Sequence, residues 1–570
     1  MHDHAKVDQD RQALASVAGK GFFAKLGTYT KLSGPGWLQS AITLGGLSLA
    51  TGLSLGIVGG YKMLWLQPLS MAVGILMLGT IAYVTLSTGK SPFHQINRHI
   101  SPVLGWGWLV ATVMANCLWT MPQFSLAWAA IDQAVVPAVP DQGLGKAAII
   151  AAMALLCIGV IMLYDAPGRG VKIFETLLKI MVGVIVLSFV GAVVMLTYYG
   201  QLDWGRLVSG FLPDPGMLTH AAPTYAEPLA AIDQASRGFW ESMIVRAQRD
   251  KVIAAAAVAV GVNMTFLLPY SMLRKGWDRQ FRGLARFDLS SGLLIPFVIA
   301  TSCIVIAAGA QFHGKPAPGL LGETNEAGQT ITPPGAVLKD FNKKLDARLA
   351  DGQSDVYAAL TDEEKQAARD ALPEAERRLA AMIVERKFGD LSQSLAPFTG
   401  ERAAELIFGL GVLAMAISTA IILMLINGLA LCVALGKPYV GWPHRIGAAI
   451  PAVTGAFGPF YWGALTSATD VATITATVGM ILLPIAYVAF ILLINNRKVM
   501  GADKPTGGKL ALLNAALVVG VGLISIGAVR AIYAKMAWTG IGLFIGFIVV
   551  AAVWPVVFGR KGRIGEPAAD

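Results

Sequence analysis

The sequence has little charge for its length. Only 14% of its 570 residues are Asp, Glu, Lys or Arg, whereas soluble proteins carry about 25%. Apolar residues make up 55% of the chain, and the mean hydropathy is +0.60. This composition excludes a disordered chain, a coiled coil and an ordinary cytosolic enzyme. It predicts an integral membrane protein.

The features of other protein classes are also missing. The chain has four cysteines, all within apolar runs, and no Cys-x-x-Cys pair, so neither a disulfide framework nor a cysteine-based metal site is expected. The net charge of +10 comes without a nucleic-acid-binding motif, so nucleic acid is not expected as a partner. Because no nucleophile–base pair, metal cluster or phosphate-binding loop occurs, we expect neither an enzyme nor a cofactor.

Apolar stretches long enough to cross a bilayer as helices recur twelve times along the chain. The predicted spans are residues 36–59, 63–87, 103–130, 144–164, 173–199, 251–273, 287–310, 402–435, 445–465, 470–494, 509–530 and 537–558. Most basic residues of the short loops fall on one side of these spans, and the positive-inside rule places that side in the cytoplasm. The sequence therefore predicts a multi-pass protein of the plasma or bacterial inner membrane, with both termini cytoplasmic.

The spans divide the chain into regions. We expect a cytoplasmic arm (1–35), a first group of five helices (36–199), an external semi-polar loop (200–250), a second group of five (251–494), two further helices (509–558) and a cytoplasmic tail (559–570). The second group contains a charged external insert (312–400), in which a capping box at Thr361 to Glu364 predicts the start of a helix. A solvated helical insert is the simpler interpretation of 312–400, and a docking site for a partner is the alternative.

Ionisable residues are nearly absent from the predicted spans. The interiors of the first, second, third, fourth and sixth spans hold no Asp, Glu, His, Lys or Arg, and all seven histidines lie in loops, in the arm or at helix ends. Buried ionisable groups mark the ion pathways and proton relays of membrane proteins. Since no such relay is visible, we expect transport that is not coupled to protons.

Two spans show signs of interruption. The first has Gly45 and Gly46 at its centre, and the sixth has Pro269. Glycine pairs and prolines weaken a helix, and breaks at matching positions of two helical groups indicate a binding site near the bilayer midplane. The polar residues around the two breaks are Thr43, Ser48, Asn263 and Thr265. Ordinary close packing of helices through small residues is the alternative explanation.

The third span carries a polar stripe. Asn116, Trp119 and Gln123 are spaced three, four and seven residues apart, which places them on one helix face. These three residues are the candidates for lining a transport pathway, and helix packing again is the alternative.

Several motifs resemble the opening of the Nramp divalent-metal transporters. They are Gly34-Pro35-Gly36-Trp37, Ala50-Thr51 and Gly59-Gly60-Tyr61-Lys62-Met63-Leu64-Trp65. The similarity continues from Phe287-Asp288 to Phe312-His313 and again from about Leu406 to Val453, so it covers most of the chain. The resemblance implies an all-α polytopic protein with the LeuT-like fold, in which two inverted repeats of five helices are followed by two extra helices, about 12 in total.

The sequence departs from the Nramp pattern at the positions that the resemblance assigns to the metal. The family's Asp-Pro-Gly-Asn motif aligns with Gly45-Gly46-Leu47-Ser48, so its two ligating side chains become Gly45 and Ser48. The family's ligating methionine aligns with Thr265 or, after a shift of one residue, with Met264. The candidate substrate-binding residues are therefore Thr43, Gly45, Gly46, Ser48, Val262, Asn263, Met264 and Thr265.

Three functions are compatible with these features. The first is secondary transport of a divalent metal ion of the Mg²⁺ or Mn²⁺ type through an altered, carboxylate-free site. The second is transport of a neutral or anionic small solute, because helix N-termini at a break favour negative charge. The third is a non-transporting sensor or assembly protein. Changing Gly45 to Asp together with Ser48 to Asn is expected to create Mn²⁺ binding in part.

Overall fold

The described part of the protein is helical throughout. The computed structural model describes residues 4–134, 143–166, 169–324, 328–386, 389–391, 400–465 and 468–557. Within these ranges the only strand-like pairing is an isolated antiparallel bridge between Thr324 and Thr330. This agrees with the all-α fold class predicted from the apolar runs.

Nine α-helices occur among the described residues of the first third of the chain, up to Tyr198. They are α1 (His4–Val17), α2 (Phe22–Leu32), α3 (Pro35–Thr43), α4 (Gly46–Gly59), α5 (Leu66–Thr88), α6 (Pro92–His99), α7 (Pro102–Ala134), α8 (Leu144–Asp165) and α9 (Arg169–Tyr198). Helices α1 and α2 form the predicted N-terminal arm. The first predicted span is divided into α3 and α4, whose axes differ by 55°.

The central part begins with short helices and contains the second broken span. Its helices are α10 (Trp204–Ser209), α11 (Ala226–Ala230), α12 (Gln234–Ala259), α13 (Val262–Arg274), α14 (Arg282–Leu289) and α15 (Ile295–Phe312), with a π-helical segment at Ser290–Leu294 between the last two. Helix α12 starts at Gln234, so residues 234–250, which the sequence placed in a loop, continue the helix of the sixth predicted span toward the N-terminus.

The insert predicted at residues 312–400 contains four short helices in its described residues. They are α16 (Gly335–Leu349), α17 (Ser354–Ala358), α18 (Asp362–Asp370) and α19 (Glu374–Met382). The predicted capping box is present, because the Thr361 side chain accepts from the Glu364 backbone while the Glu364 side chain accepts from the Thr361 backbone. Glu376 fixes the insert to α12: its Oε2 accepts from Trp240 Nε1 at 2.7 Å and from Arg348 Nε at 2.8 Å.

The C-terminal part returns to long apolar helices. They are α20 (Glu401–Leu435), α21 (Trp442–Leu465), α22 (Ala468–Asn495), α23 (Arg497–Met500) and α24 (Gly507–Val557). Helix α24 corresponds to the last two predicted spans and is interrupted at Ala537, whose φ is +48°. This left-handed conformation is unfavourable for a residue with a side chain, so it marks a sharp kink between the two spans.

Helices coincide with all twelve predicted spans. Among the described residues, nine helices are long and apolar enough to cross a bilayer, and the bent pair α3–α4 makes a tenth. The sixth span is divided between α12 and α13, and the ninth corresponds to α21. These two spans do not meet the same criterion of length and hydropathy, so the number of twelve stays a prediction.

Burial distinguishes the centre of the bundle from its periphery. In α20, 89% of the most apolar segment is buried, whereas the last span, Met536–Val557, is buried over only 6%. Helix α20 packs against α7, α9 and α21 and also contacts α3, the first half of the broken first span. The centre of the bundle therefore lies where α3, α7 and α20 meet.

Candidate functional site

The first helix break lies at Leu44 and Gly45. Helix α3 ends at Thr43, and α4 begins at Gly46 after Gly45 adopts an extended conformation (φ −119°, ψ −177°). The Ser48 hydroxyl donates to the carbonyl oxygen of Thr43, and the backbone N–H of Ser48 donates to Gly45 O at 3.0 Å. These bonds satisfy part of the backbone exposed by the break.

The second break lies at Val260 and Gly261. Both residues are extended, with φ −141° at Val260 and φ −86° at Gly261. A side chain at position 261 would lie 2.5 Å from the Trp119 ring, so glycine is needed here for close packing. The sequence assigned the break to Pro269, but Pro269 lies inside α13. The break therefore lies eight residues earlier, at Gly261, which packs against the Trp119 ring.

The two breaks lie side by side. Thr43 Oγ1 at the end of α3 is 3.2 Å from Ala259 O at the end of α12 and 2.9 Å from Met264 Sδ in α13. Gln39 Nε2 in α3 donates to Met264 O at 3.3 Å. The first and sixth spans are thus joined by hydrogen bonds at the level where each is interrupted.

A small cavity occupies the space between the breaks. Its volume is about 30 Å³, which is enough for a single ion or one or two water molecules. It is lined by Ile42, Thr43, Gly45, Leu47, Trp119, Gln123, Val258, Gly261, Asn263, Met264 and Thr419. None of these side chains is charged, so the site has polar atoms but no formal charge.

The polar atoms of the cavity are of three kinds. Thr43 and Thr419 contribute hydroxyls, Met264 a thioether, and Gln123 and Asn263 amides. Gln123 Oε1 accepts from the Gly46 backbone N–H at 3.0 Å, and Asn263 Oδ1 accepts from the Met264 N–H at 2.8 Å. The Asn263 side chain is fully buried, and its Nδ2 has no hydrogen-bond partner. Both donors and acceptors are therefore available to a bound species.

The structure brings six of the eleven predicted site residues together around this cavity. They are Thr43, Gly45, Asn263, Met264, Trp119 and Gln123. Gly46 takes part through its N–H bond to Gln123. Of the two residues proposed to align with the family's methionine, Met264 lines the cavity, whereas Thr265 accepts from Trp108 Nε1 at 3.0 Å. The shifted alignment therefore matches the geometry.

The remaining predicted residues lie outside the cavity. Ser48 lines a second, smaller cavity of about 10 Å³ beside it, together with Thr51, Gln67 and Thr301. Asn116 Nδ2 donates to Asn427 Oδ1 at 2.8 Å, which fits the alternative of helix packing for this residue. Val262 is fully buried and does not line the cavity.

Thr419 lines the cavity but was not among the predicted site residues. It lies on α20, far from both breaks in sequence, and its hydroxyl donates to Ala41 O at 3.1 Å. A β-carbon at Gly45 would lie 2.5 Å from Thr419 Oγ1 and 3.0 Å from its Cγ2. Restoring Asp at position 45 therefore requires Thr419 to move, so the exchange expected to create Mn²⁺ binding faces a steric obstacle that the sequence did not reveal.

Metal ligands of the usual kind are not gathered at the site. Within the described ranges no group of three or more His, Cys, Asp or Glu side chains is close enough to hold a metal ion. Any ion in the cavity would have to be held by the hydroxyls, the amides, the thioether and backbone carbonyls. The ends of α3 and α12 supply such carbonyls, because the last residues of a helix have no intrahelical partner.

Charged side chains are gathered instead at one end of the bundle. Asp288, 1% exposed, accepts from Gly34 N at 3.0 Å and from Gly36 N at 2.6 Å. It thereby caps the N-terminus of α3, where a negative charge is favoured.

Two lysines lie near this cap. Lys275 Nζ lies 2.9 Å from Glu175 Oε1, and Lys179 Nζ donates to Ser33 O at 3.1 Å. We call Glu175, Lys179, Lys275 and Asp288 the arm-end network, because they lie beside the N-terminal arm.

A second buried pair lies at the same end. His444 Nδ1 is 2.8 Å from Asp165 Oδ1, within ion-pair distance but without hydrogen-bond geometry, and Arg445 Nε is 3.5 Å from Asp165 Oδ2. The side chains of His444 and Asp165 are 0% and 5% exposed. The sequence placed His444 in a loop or at a helix end. It is in the first turn of α21, where its contact with the end of α8 joins two helices.

Comparison with known proteins agrees with this architecture. The sequence pattern described as natural resistance-associated macrophage protein-like (Nramp) matches residues 36–334 and 379–530. A solved structure of a variant of the Eremococcus coleocola manganese transporter superimposes with a TM-score of 0.61 at 14% identity, covering 95% of this chain and 96% of that chain. The same transporter bound to an aromatic bis-isothiourea compound gives a TM-score of 0.62 at 13% identity, with the same coverage.

A search of curated proteins gave no match. At 13–14% identity the structural likeness establishes the fold, and it confirms the predicted LeuT-like arrangement of helices. The family match is independent of that likeness and spans most of the chain. The chain therefore belongs to the Nramp family of multi-pass membrane proteins, which are metal-ion transporters and not enzymes.

Proposed function

We propose that this protein is a secondary transporter that carries a divalent metal ion, of the Mn²⁺ or Mg²⁺ type, through a carboxylate-free site between its two broken helices. The observation that carries the proposal is the ion-sized cavity of about 30 Å³ enclosed by the two breaks. Sites for organic ligands usually measure about 300 Å³ or more. In the conformation described, an ion therefore fits and a small organic solute does not.

The uncharged groups that line the cavity favour different metal ions. Hydroxyl and carbonyl oxygens suit hard cations such as Mg²⁺, whereas a thioether favours softer ions. The C-terminal ends of α3 and α12 add the negative ends of two helix dipoles, which partly compensate for the missing carboxylate. Met264, whose Sδ lies 2.9 Å from Thr43 Oγ1, is the softer ligand among these groups and favours Mn²⁺ over Mg²⁺.

Alternating access requires the arm-end network to open. In the described conformation Asp288 holds the start of α3 by two hydrogen bonds, and the Lys275–Glu175 pair lies beside it. Release of an ion toward the arm end requires α3 to move away from Asp288. With both termini in the cytoplasm of a plasma or bacterial inner membrane, as the basic loop residues predict, this is the inward-facing step.

Coupling to protons is not part of the proposal. No titratable side chain lines the cavity, so binding of the ion displaces no proton there. A membrane potential attracts a divalent ion with about 4.6 kcal/mol per 100 mV, twice the value for one charge. That driving force is sufficient for uptake without a co-transported proton.

Transport of a small anion is the second candidate. Asn263 Nδ2 is a fully buried donor without a partner, and Asn263 lines the cavity. The N-termini of α4 and α13 also begin at the two breaks, and helix N-termini favour anions. Because the cavity is small, this candidate is limited to an anion of one or two heavy atoms.

The test is uptake into proteoliposomes of purified protein, with Mn²⁺ and Mg²⁺ read by entrapped fluorophores. Met264→Leu keeps the volume and removes the sulfur, so we expect Mn²⁺ uptake to fall roughly tenfold, which corresponds to about 1.4 kcal/mol, while Mg²⁺ uptake changes little. Met77→Leu, at a buried methionine outside the site, is the matched control. Absence of saturable uptake of both ions by folded, monodisperse protein would contradict the proposal, and halide uptake would then support the second candidate.

A further inference from the structure

Thr419 stands where the side chain of residue 45 would otherwise be. A β-carbon at Gly45 would meet Thr419 Oγ1 at 2.5 Å, its Cγ2 at 3.0 Å and its Cβ at 3.2 Å. Thr419 comes from α20, the most deeply buried span, whose position is fixed by packing on several sides. A side chain at position 45 and a threonine at position 419 therefore exclude each other.

The Thr419 hydroxyl is held in a defined orientation. It lies 3.1 Å from Ala41 O and 3.4 Å from Ile42 O, to which it can donate its one proton. A hydroxyl that donates to a backbone carbonyl still has lone pairs with which to accept or coordinate. Thr419 is 4% exposed and lines the cavity, so these lone pairs are available to a species bound there.

The two residues form one unit of the site. We infer that Thr419 supplies an oxygen ligand from α20 in place of a side chain at position 45, and that the Gly45–Thr419 pair keeps the site neutral and determines which cations it accepts. The inference rests on the proposed metal transport for its selectivity, and on the distances above for the mutual exclusion of the two side chains.

The neutral pair has a consequence for selectivity. A carboxylate at position 45 would place one negative charge beside a divalent ion in a largely dehydrated site, which strengthens binding. A hydroxyl binds more weakly and discriminates by size and hydration more than by charge. We therefore expect the native site to bind weakly, to release its ion readily, and to distinguish Mn²⁺ from Mg²⁺ by their size and hydration, since the two ions carry the same charge.

A double-mutant cycle tests the mutual exclusion. The variants are Gly45→Asp, Thr419→Ala and the two combined, with thermal stability and calorimetric Mn²⁺ binding measured for each. Gly45→Asp alone should lower the melting temperature, because the new side chain meets Thr419. The combined variant should recover stability and bind Mn²⁺ at least about tenfold more tightly than the native protein. If Gly45→Asp alone is as stable as the native protein and binds Mn²⁺ as tightly as the combined variant, the exclusion is wrong.

A second pair of variants tests the ligand role. Thr419→Val keeps the shape and removes the hydroxyl, whereas Thr419→Ser keeps the hydroxyl. We expect Thr419→Val to raise the KM for Mn²⁺ uptake roughly tenfold, the lower end of what loss of a metal-site partner costs. Thr419→Ser should restore most of the affinity. If Thr419→Val changes stability but leaves the KM and the Mn²⁺-to-Mg²⁺ ratio unchanged, the hydroxyl is structural and the ligand role is overturned.

The cycle also separates this inference from the proposed function. Binding and stability of the Gly45 and Thr419 variants are measured whether or not the native protein transports a metal. If the native protein is silent for Mn²⁺ and Mg²⁺ but the combined variant gains Mn²⁺ binding, the proposed function fails and the exclusion stands. If the native protein transports metal but the cycle shows no coupling, the proposed function stands and the Gly45–Thr419 pair fails.

Discussion

The middle of the bundle and its arm end differ in the charge of their buried side chains. Around the two breaks, the cavity is lined by hydroxyls, amides and a thioether, without a charged side chain. At the arm end, Asp288 and Asp165 are buried, 1% and 5% exposed, and each has polar or charged partners. A buried charge is expensive unless it is paired. The chain thus places its buried charges where they fasten helices together, and leaves the proposed binding site neutral.

The difference explains how a transporter can lack ligand carboxylates and remain well ordered. The arm-end network and the contact of His444 with Asp165 join helices through charged groups, whereas the proposed site needs only to accommodate an ion and let it leave. Two kinds of experiment test this division of charge. Removing charges from the arm end should destabilise the protein, and the neutral centre should not respond to protons.

Removal of the Asp288 carboxylate should have the largest effect. Asp288→Ala leaves the backbone N–H groups of Gly34 and Gly36 without acceptors, and we expect a loss of about 3 kcal/mol, because hydrogen bonds to charged groups contribute about 1.5–3 kcal/mol each. Thermal unfolding in detergent measures it. Asp355→Ala, on the exposed surface of the insert, is the control. Equal stability of the two variants would show that the cap of α3 is dispensable.

Asp165→Ala should have the second largest effect. It leaves the buried His444 without its partner, and we expect a loss of about 2 kcal/mol, less than for a fully enclosed pair, because Arg445 is 56% exposed and can turn to water. The same unfolding assay measures it. Combining Asp165→Ala with His444→Leu should recover part of the loss, since the unpaired polar ring is then removed. A double variant less stable than the single one would contradict the pairing.

The Lys251–Glu385 pair between α12 and the insert should contribute less. Lys251 Nζ at α12 lies 2.7 Å from Glu385 Oε1, with side chains 17% and 26% exposed. Partly exposed ion pairs contribute about 0.2–1 kcal/mol, so Lys251→Ala should cost about 0.5 kcal/mol. Raising the salt concentration should diminish the difference between this variant and the native protein. If Lys251→Ala lowers the free energy of unfolding more than Asp165→Ala does, the ion pairs of the insert stabilise the protein more than those of the arm end.

A change of pH should have the smallest effect, close to none, on Mn²⁺ binding at the cavity. Because no titratable side chain lines the cavity, calorimetric Mn²⁺ binding should change less than about twofold between pH 6 and pH 8, since a site without titrating groups has no proton linkage. A pH-sensitive dye inside proteoliposomes should record no inward proton flux with the metal. A robust proton flux would show that titratable side chains outside the cavity take part in transport.

Local sequence signals predicted the local features. The glycine pair at Gly45 and Gly46 marked the first break, and the capping box at Thr361 marked the start of α18. Apolar length alone located the helices that are long enough to cross a bilayer, ten of which are found among the described residues when the bent pair is counted as one. Each of these depends on residues within a few positions of one another, so a single sequence contains the necessary information.

Features that depend on packing between distant helices could not be predicted in the same way. Pro269 appeared to break the sixth span, but the break lies at Gly261, where Trp119 approaches the backbone. Thr419 lies at the candidate site because α20 packs against α3, and His444 lies beside Asp165 because α21 packs against α8. Neither contact has a signal in the spacing of residues along the chain.

The most direct test of a neutral metal site is to locate the ion. Crystals of the protein soaked in Mn²⁺, with diffraction collected at the manganese absorption edge, would show the ion as an anomalous peak. The account predicts one peak between the two breaks, in contact with Met264 Sδ and Thr419 Oγ1. A peak confined to Asp288 or Asp165 at the arm end, with none between the breaks, would contradict it.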